Sequence, residues 1–259
     1  MEKISDHLSK HAKPLSDEEF GYYLAGLIEA DGYISDQLLE IALDEKDASL
    51  AYYIKARLGF GSVYKLKGKH SVRYLLRHSQ GLKTILLLIN GKLLSSNKID
   101  QLLKNGYDKK YGIPILPPAN FHINQNHFLA GFSDAVGSFD IATPKDASSR
   151  LGFRVRLRFC LGTPSQLRQQ NYLTILQKVK SELGAGEACL HQNKVTGIYH
   201  YEASSFQSNF KTIAYFDHFH LNSSKYVDYF KWRKAYRIIQ RGEHLSQKSA
   251  WSKPEAFGD

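Results

Sequence analysis

The clearest hydrophobic pattern in the chain is a strict alternation of apolar and basic residues from Phe153 to Phe159. Alternation is typical of a β-strand with one buried face, because successive side chains point to opposite sides. The pattern predicts a strand near 151–161 whose outer face carries three arginines, Arg154, Arg156 and Arg158. That face either contacts an anion or is simply solvated.

Most of the remaining chain has helical periodicity or short strand-like runs. Ser16 and Glu19 form a capping-box pattern that predicts the start of a helix, and Gly32 predicts its end. Each half predicts the same order, α-β-β-α-β-β-α-α. Further helices are predicted near 48–58, 82–89, 96–103, 166–183, 206–215 and 224–240, and further strands near 33–42, 61–67, 71–77, 138–141 and 188–203.

The last predicted helix mixes basic and aromatic residues. We expect an amphipathic closing helix whose apolar face includes Tyr226, Phe230, Ala235 and Ile238. The alternative is a helix that contacts backbone phosphates through its basic residues.

The chain contains an internal repeat. Residues 24–32 read LAGLIEADG and residues 129–137 read LAGFSDAVG, and a second echo relates Ser95–Lys98 to Asn222–Lys225. Three prolines within 111–126 predict a linker. The sequence therefore predicts a first half over 1–110, a linker over 111–126, a second half over 127–245 and a tail over 246–259.

Small residues recur at matching places in the two repeats. Gly26 and Ala30 lie four residues apart, as do Gly131 and Ala135, so each pair lies on one helical face. Faces of this kind permit close backbone approach. We expect the two motif helices to pack against each other and to bring their C-terminal ends together.

Asp31 lies at the C-terminal end of the first motif helix, where the helix dipole makes a carboxylate unfavourable. A nearby cation relieves this repulsion. Mg²⁺ is the expected ion, because it binds one or two carboxylates and completes its coordination with water and phosphate oxygens.

The two nine-residue segments, their spacing and the element order resemble those of the LAGLIDADG homing endonucleases, especially the single-chain forms encoded in organellar group I introns. The resemblance covers residues 16–245. It implies an α/β (α+β) fold of two pseudo-symmetric α-β-β-α-β-β-α halves packed through the motif helices, with antiparallel DNA-binding sheets that form a saddle. It also implies a monomer, a double-stranded DNA target of about 20 base pairs, and Mg²⁺, for which Ca²⁺ or Mn²⁺ can substitute structurally.

In that family, the acid before the last glycine of each motif binds the metal ions and drives cleavage. Asp31 matches this position, whereas Val136 occupies it in the second motif and cannot bind a metal. The backbone carbonyl of Ala135 is expected near the metals. The resemblance also implies a catalytic lysine from each half, and Lys98 and Lys225 are the candidates, with a solvated lysine at a helix start as the alternative.

Asp134 is not expected to replace the missing acid, because two helical residues separate the directions of the side chains by about 200°. We therefore expect weak cleavage, nicking of one strand, or binding without cleavage. Two other functions remain open: an RNA maturase that binds its host group I intron, and a DNA-binding regulator on the same scaffold.

The charge of the chain favours a polyanionic partner. The sequence has 35 Lys and Arg against 25 Asp and Glu, a formal net charge of +10. Five basic residues of the first predicted hairpin are expected to contact DNA alongside the three arginines of the second half. They are Lys65, Lys67, Lys69, Arg73 and Arg77.

Cysteine content and the N-terminal sequence bear on location. Only Cys160 and Cys189 are present, so no disulfide framework is expected and a reducing compartment is indicated. The first residues do not resemble a secretory or transit peptide, and no apolar run reaches membrane length. We expect a protein encoded in the organelle where it acts, a mitochondrion or alternatively a chloroplast, without a membrane partner.

Overall fold

A computed structural model describes residues 3–149, 152–162, 169–184, 189–192 and 199–245. The first half contains α1 (Asp17–Asp31), β1 (Gly32–Ser35), β2 (Leu38–Asp44), α2 (Ala48–Leu58), β3 (Ser62–Lys65), β4 (Ser71–Leu76), α3 (Ser79–Ile89), α4 (Ser96–Lys104) and α5 (Tyr107–Tyr111). The second contains α6 (Phe128–Val136), β5 (Gly137–Ala142), β6 (Arg156–Gly162), α7 (Gln169–Leu183), β7 (Cys189–Gln192), β8 (Tyr199–Ala203), α8 (Phe206–Phe216) and α9 (Lys225–Gln240).

The two halves have the same sheet topology. Each has a four-stranded antiparallel sheet, in the order β1-β2-β4-β3 in one and β5-β6-β8-β7 in the other. Tyr74 pairs with Ile41 in the first sheet, and Tyr201 pairs with Leu161 at the matching place in the second. Both tyrosines are fully buried. The predicted α/β class and the pseudo-symmetric arrangement of the halves are confirmed.

The halves meet along α1 and α6, where backbone contacts backbone. A Cβ atom added at Gly26 would lie 1.9 Å from the carbonyl oxygen of Phe128, and one added at Gly131 would lie 1.9 Å from that of Tyr23. Ala30 is buried and Ala135 is half-buried. Only glycine fits at Gly26 and Gly131, because the opposing helix occupies the space of a side chain.

Gly32 ends α1, but not through the left-handed turn that a C-terminal glycine commonly supplies. Its φ of −77° is extended backbone, and the chain continues directly into β1. Glycine is required here for space, since a Cβ would lie 2.7 Å from the carbonyl oxygen of Ile28.

The strand predicted over 151–161 is shorter than expected. β6 begins at Arg156, so Arg154 precedes the strand. The Arg154 amide donates to the carbonyl oxygen of Pro144, but Pro144 has no N–H to return, and the ladder is interrupted there. The start of the helix predicted over 166–183 and the predicted tail over 246–259 lie outside the described residues.

The buried face of α9 matches the prediction in part. Ala235 is buried and Tyr226 packs against the core, as predicted, whereas Phe230 is exposed. Tyr229, Trp232 and Tyr236 are buried in addition. Arg233 is buried on the same side because Asp217, from the end of α8, accepts hydrogen bonds from its Nε and Nη2 atoms at 2.7–3.0 Å. None of the helices in the described ranges is long and apolar enough to cross a bilayer.

Candidate active site and nucleic-acid interface

The C-terminal ends of α1 and α6 lie beside a small polar cavity. Its volume is about 190 Å³, and Asp31, Ala135 and Lys225 contribute to its wall. Asp31 is half-buried. The remaining lining residues are Ala42, Leu43, Asp44, Lys46, Asp47 and Asp134. The cavity therefore combines carboxylates of the first half with a backbone carbonyl and a lysine of the second.

Val136 lies at the matching end of α6. Its side chain is half-buried and packs against the hydrophobic core. The position equivalent to Asp31 thus holds a hydrocarbon with no atom able to bind a cation.

Lys98 and Lys225 reach the ends of the two motif helices. Lys225 Nζ donates to the carbonyl oxygens of Ser133 at 3.2 Å and Ala135 at 2.8 Å. Lys98 is buried, and its Nζ donates to the carbonyl oxygen of Gly32. Burial lowers the pKa of Lys225 below its usual value, although Asp134, Asp31 and Asp47 oppose this shift.

Two buried acids of the motifs hold the segments that carry these lysines. The Asp134 carboxylate accepts from the amides of Asn222 and Ser223 and from the Ser223 hydroxyl, the last at 2.5 Å. Tyr23 of the other half adds its hydroxyl at 2.6 Å. Desolvation raises the pKa of Asp134, and these hydrogen bonds oppose the rise. Asp134 is thus fully engaged within the fold, consistent with the expectation that it cannot replace the acid missing at Val136.

Glu29 occupies the equivalent place in the first half. Its carboxylate accepts from the amides of Leu94 and Ser95 at 2.7 and 2.8 Å and from the Ser95 hydroxyl at 2.6 Å. Ser95 in turn caps α4, because its hydroxyl accepts from the Lys98 amide. Each motif therefore contributes one acid that orders a lysine segment, a role that the sequence analysis missed although the Ser-containing echo pointed to it.

The oxygen donors at the cavity suit one hard cation better than two. Asp31 supplies a carboxylate, and Mg²⁺ needs only one or two of these when water and phosphate complete its coordination. The Ala135 carbonyl already accepts from Lys225. Within the described part of the chain, no cluster of three His, Cys, Asp or Glu residues is arranged to hold a metal.

The basic residues predicted for the first hairpin do not share one face. Arg73 pairs with Glu40 across the open face of the sheet, beside the exposed Tyr64. Lys65 lies opposite the buried Val72, on the other side of the sheet, and forms an ion pair with Glu45. Lys67 and Lys69 are exposed in the turn between β3 and β4, and Arg77 is exposed after β4. The register therefore places Lys65 and Arg73 on opposite sides of the sheet, and the contact of these five residues with DNA stays a prediction.

The three arginines of the second half have different surroundings. Arg158 lies between Asp140 and Glu202, with a guanidinium nitrogen 3.8 Å from a carboxylate oxygen of each. Arg156 is exposed opposite Ala142. Arg154 binds Asp146 at 2.7 Å. The sequence pattern identified these arginines but not their acidic partners, which cross-strand register brings together.

Two halves joined through paired glycine-containing helices, with an acid at one helix end and lysines beside both, define a single-chain, two-motif protein of the homing-endonuclease fold. A family model described as LAGLIDADG endonuclease matches residues 24–105 and 129–236. The chain belongs to the LAGLIDADG endonuclease family.

Individual comparisons agree with this assignment. A cox1 intron-2 protein of Schizosaccharomyces pombe is 40% identical and aligns with 98% of this chain and 77% of its own length. A probable intron-encoded endonuclease of Neurospora crassa is 27% identical over 93% of this chain but only 44% of its own length. The structure of I-SmaMI bound to uncleaved DNA in the presence of calcium ions has a TM-score of 0.67 at 22% identity, covering 88% of this chain and 94% of that one.

Proposed function

We propose that this chain binds one double-stranded DNA site as a monomer and is an Mg²⁺-dependent intron homing endonuclease with one impaired centre. The observation that carries the proposal is the pair of motif-helix ends, of which one has Asp31 and the other Val136. The impairment reduces the reaction to weak cleavage, to nicking of one strand, or to binding alone.

The site residues divide the work of phosphodiester hydrolysis. Asp31 holds Mg²⁺, which when bound polarises the phosphate and activates water. Lys225 and Lys98 place positive charge beside the helix ends, where it stabilises the charge that develops on the phosphate. The nonpolar Val136 leaves the second centre without its acid.

The open faces of the two sheets are proposed to hold the DNA. Arg156, Arg158 and Arg73 offer guanidinium groups from β6 and β4, and the turn lysines extend the basic surface. Guanidinium groups can bind guanine edges bidentately or pair with phosphates. The carboxylates beside Arg73 and Arg158 hold these groups in place before DNA arrives.

Arg156→Ala is expected to weaken DNA binding about tenfold, and to reduce the salt dependence of the affinity by about one counterion if Arg156 contacts phosphate. Arg158→Ala should weaken binding more, because it also leaves Asp140 and Glu202 facing the DNA unpaired. Fluorescence anisotropy at several salt concentrations measures both quantities. The control is Lys180→Ala, which removes the positive charge of an exposed side chain on α7. Equal small effects of all three substitutions would place the DNA elsewhere.

The name of one relative supports a proposal for the location of the protein and for its DNA target. A relative named for a cox1 intron suggests a mitochondrial intron as host. The proposed target is the intronless version of the host's insertion site, because intron sequence interrupts the site once homing has occurred.

Incubation of the protein with that intronless duplex and Mg²⁺ tests the proposal. The expected result is tight binding with nicks or slow double-strand breaks that disappear in EDTA and in Asp31→Asn. Specific binding without any cutting, by this chain and by a variant with the second acid restored, would remove the enzymatic part.

A maturase function is the second candidate, because loss of the acid at Val136 spares the scaffold while removing part of the nuclease site. The host group I intron RNA is then the partner. Acceleration of its splicing in vitro by the purified protein is the expected result. Splicing at the protein-free rate removes this candidate.

A further inference from the structure

The backbone that leads into Lys225 is anchored by carboxylates from both halves. Asp134, in the same half, accepts from the amides of Asn222 and Ser223 at 2.8 and 3.2 Å. Asp47, in the first half, accepts from the amide of Ser224 at 2.6 Å. Three successive amides before Lys225 are therefore bound by side chains, and one of these side chains belongs to the other half.

Asp47 makes this contact in place of a local one. It is the N-cap residue of α2, a position where Asp usually accepts from the first-turn amides of its own helix. Its carboxylate forms no such capping bond. The residue is only 3% exposed, so its charge is directed into the contact between the halves rather than to solvent.

The segment that carries Lys98 in the first half is anchored by its own motif. Its amides at Leu94 and Ser95 donate to Glu29 of the same half. The Lys225 segment has the matching anchor from Asp134 of its own motif, and Asp47 adds a hydrogen bond from the other half.

We propose that Asp47 is a positioning residue through which the first half fixes the place of Lys225 in the second half. This inference rests on the proposed nuclease function, in which Lys225 stabilises the reacting phosphate. Ser224 immediately precedes α9, and Lys225 is the first residue of that helix. Loss of the hydrogen bond from the Ser224 amide allows the first turn of α9 to shift, and Lys225 shifts with it. Small displacements of a catalytic group lower the rate steeply.

Amide hydrogen exchange of the full chain tests the anchor without requiring activity. Asp47→Ala is expected to speed exchange of the amides at 223–226 about tenfold, because a buried charge-assisted hydrogen bond is lost. Asp47→Asn keeps an acceptor oxygen and should restore most of the protection. Asp36→Ala, which removes one exposed charge from the turn between β1 and β2, is the matched control. Unchanged exchange in Asp47→Ala would overturn the proposal.

Strand-resolved cleavage tests the positioning role itself. It uses the Val136→Asp variant, which is expected to cut both strands, because this chain is proposed to nick as few as one. With each DNA strand labelled separately, Asp47→Ala should slow cutting of one strand about tenfold with unchanged DNA affinity. A substitution that only destabilises the fold would slow both strands together, and that result overturns the positioning role. If neither this chain nor the Val136→Asp variant cuts, the nuclease proposal fails, while the exchange measurement still decides whether Asp47 anchors the segment.

Discussion

Gly26→Ala is expected to destabilise the protein by about 4 kcal/mol, the range of severe packing changes in a core. The new Cβ would lie 1.9 Å from the carbonyl oxygen of Phe128, and that oxygen belongs to helix backbone that cannot rotate away. An alanine inside an ordinary helix stabilises it relative to glycine by about 0.5–1 kcal/mol. The sign of the effect therefore distinguishes a backbone contact from an ordinary helical position. Urea unfolding followed by circular dichroism measures it.

Gly131→Ala should have a similar effect, since its Cβ would meet the carbonyl oxygen of Tyr23 at the same distance. Gly68→Ala is the matched control, because no atom lies within 4 Å of its Cβ and only its left-handed φ of 73° opposes the change. This control should lose about 1 kcal/mol. A Gly26→Ala protein as stable as the parent would show that α1 and α6 do not pack in this register.

Local patterns predicted much of the fold. The predicted capping box at Ser16 is present, and α1 starts at the next residue. A local pattern could predict it because both hydrogen bonds of the capping box join Ser16 and Glu19, three residues apart. The repeated motif predicted the helix pair for a similar reason, since the spacing of Gly26 and Ala30 sets their shared face.

The buried face of α9 was less accessible to prediction. Aromatic residues occur all around this helix, so hydrophobicity alone leaves its orientation undetermined. Arg233 is buried because Asp217 accepts from its guanidinium, and the polar partner outweighs the usual exclusion of arginine from a core. That partner lies in another element, beyond the reach of a helical pattern.

The candidate site was likewise predictable where a local pattern marks a residue, and not where a contact joins distant parts of the chain. The motif identified Asp31 and the echo identified Lys225, because both are marked by repetition. The bond from the Ser224 amide to Asp47 joins residues 177 positions apart, and no local pattern marks it. The acidic partners of Arg73 and Arg158 likewise depend on strand register, which is fixed by packing of the whole sheet.

Val136→Asp is expected to raise Mg²⁺-dependent double-strand cleavage of the intronless site about 100-fold, the scale of losing or gaining one electrostatic contributor to an active site. The new carboxylate would lie at the end of α6, on the matching side of the helix pair from Asp31, and give the second centre its missing acid. It would also lie at the negative end of a helix dipole, where it is unfavourable until a cation binds. The variant should therefore melt below the parent in EDTA and gain more stability than the parent when Mg²⁺ is added.

Val136→Asn separates charge from shape in this test, because Asn resembles Asp in size but brings no negative charge. We expect Asn to leave cleavage at the level of the parent and to show no added stabilisation by Mg²⁺. Cleavage and thermal shift should rise together in the Asp variant, since both depend on the same bound ion. If the Val136→Asp variant is stabilised by Mg²⁺ but does not cut DNA, the defect lies beyond the missing acid and the scaffold serves binding. If the Asp and Asn variants show the same cleavage and the same thermal shift, the end of α6 is not a metal site.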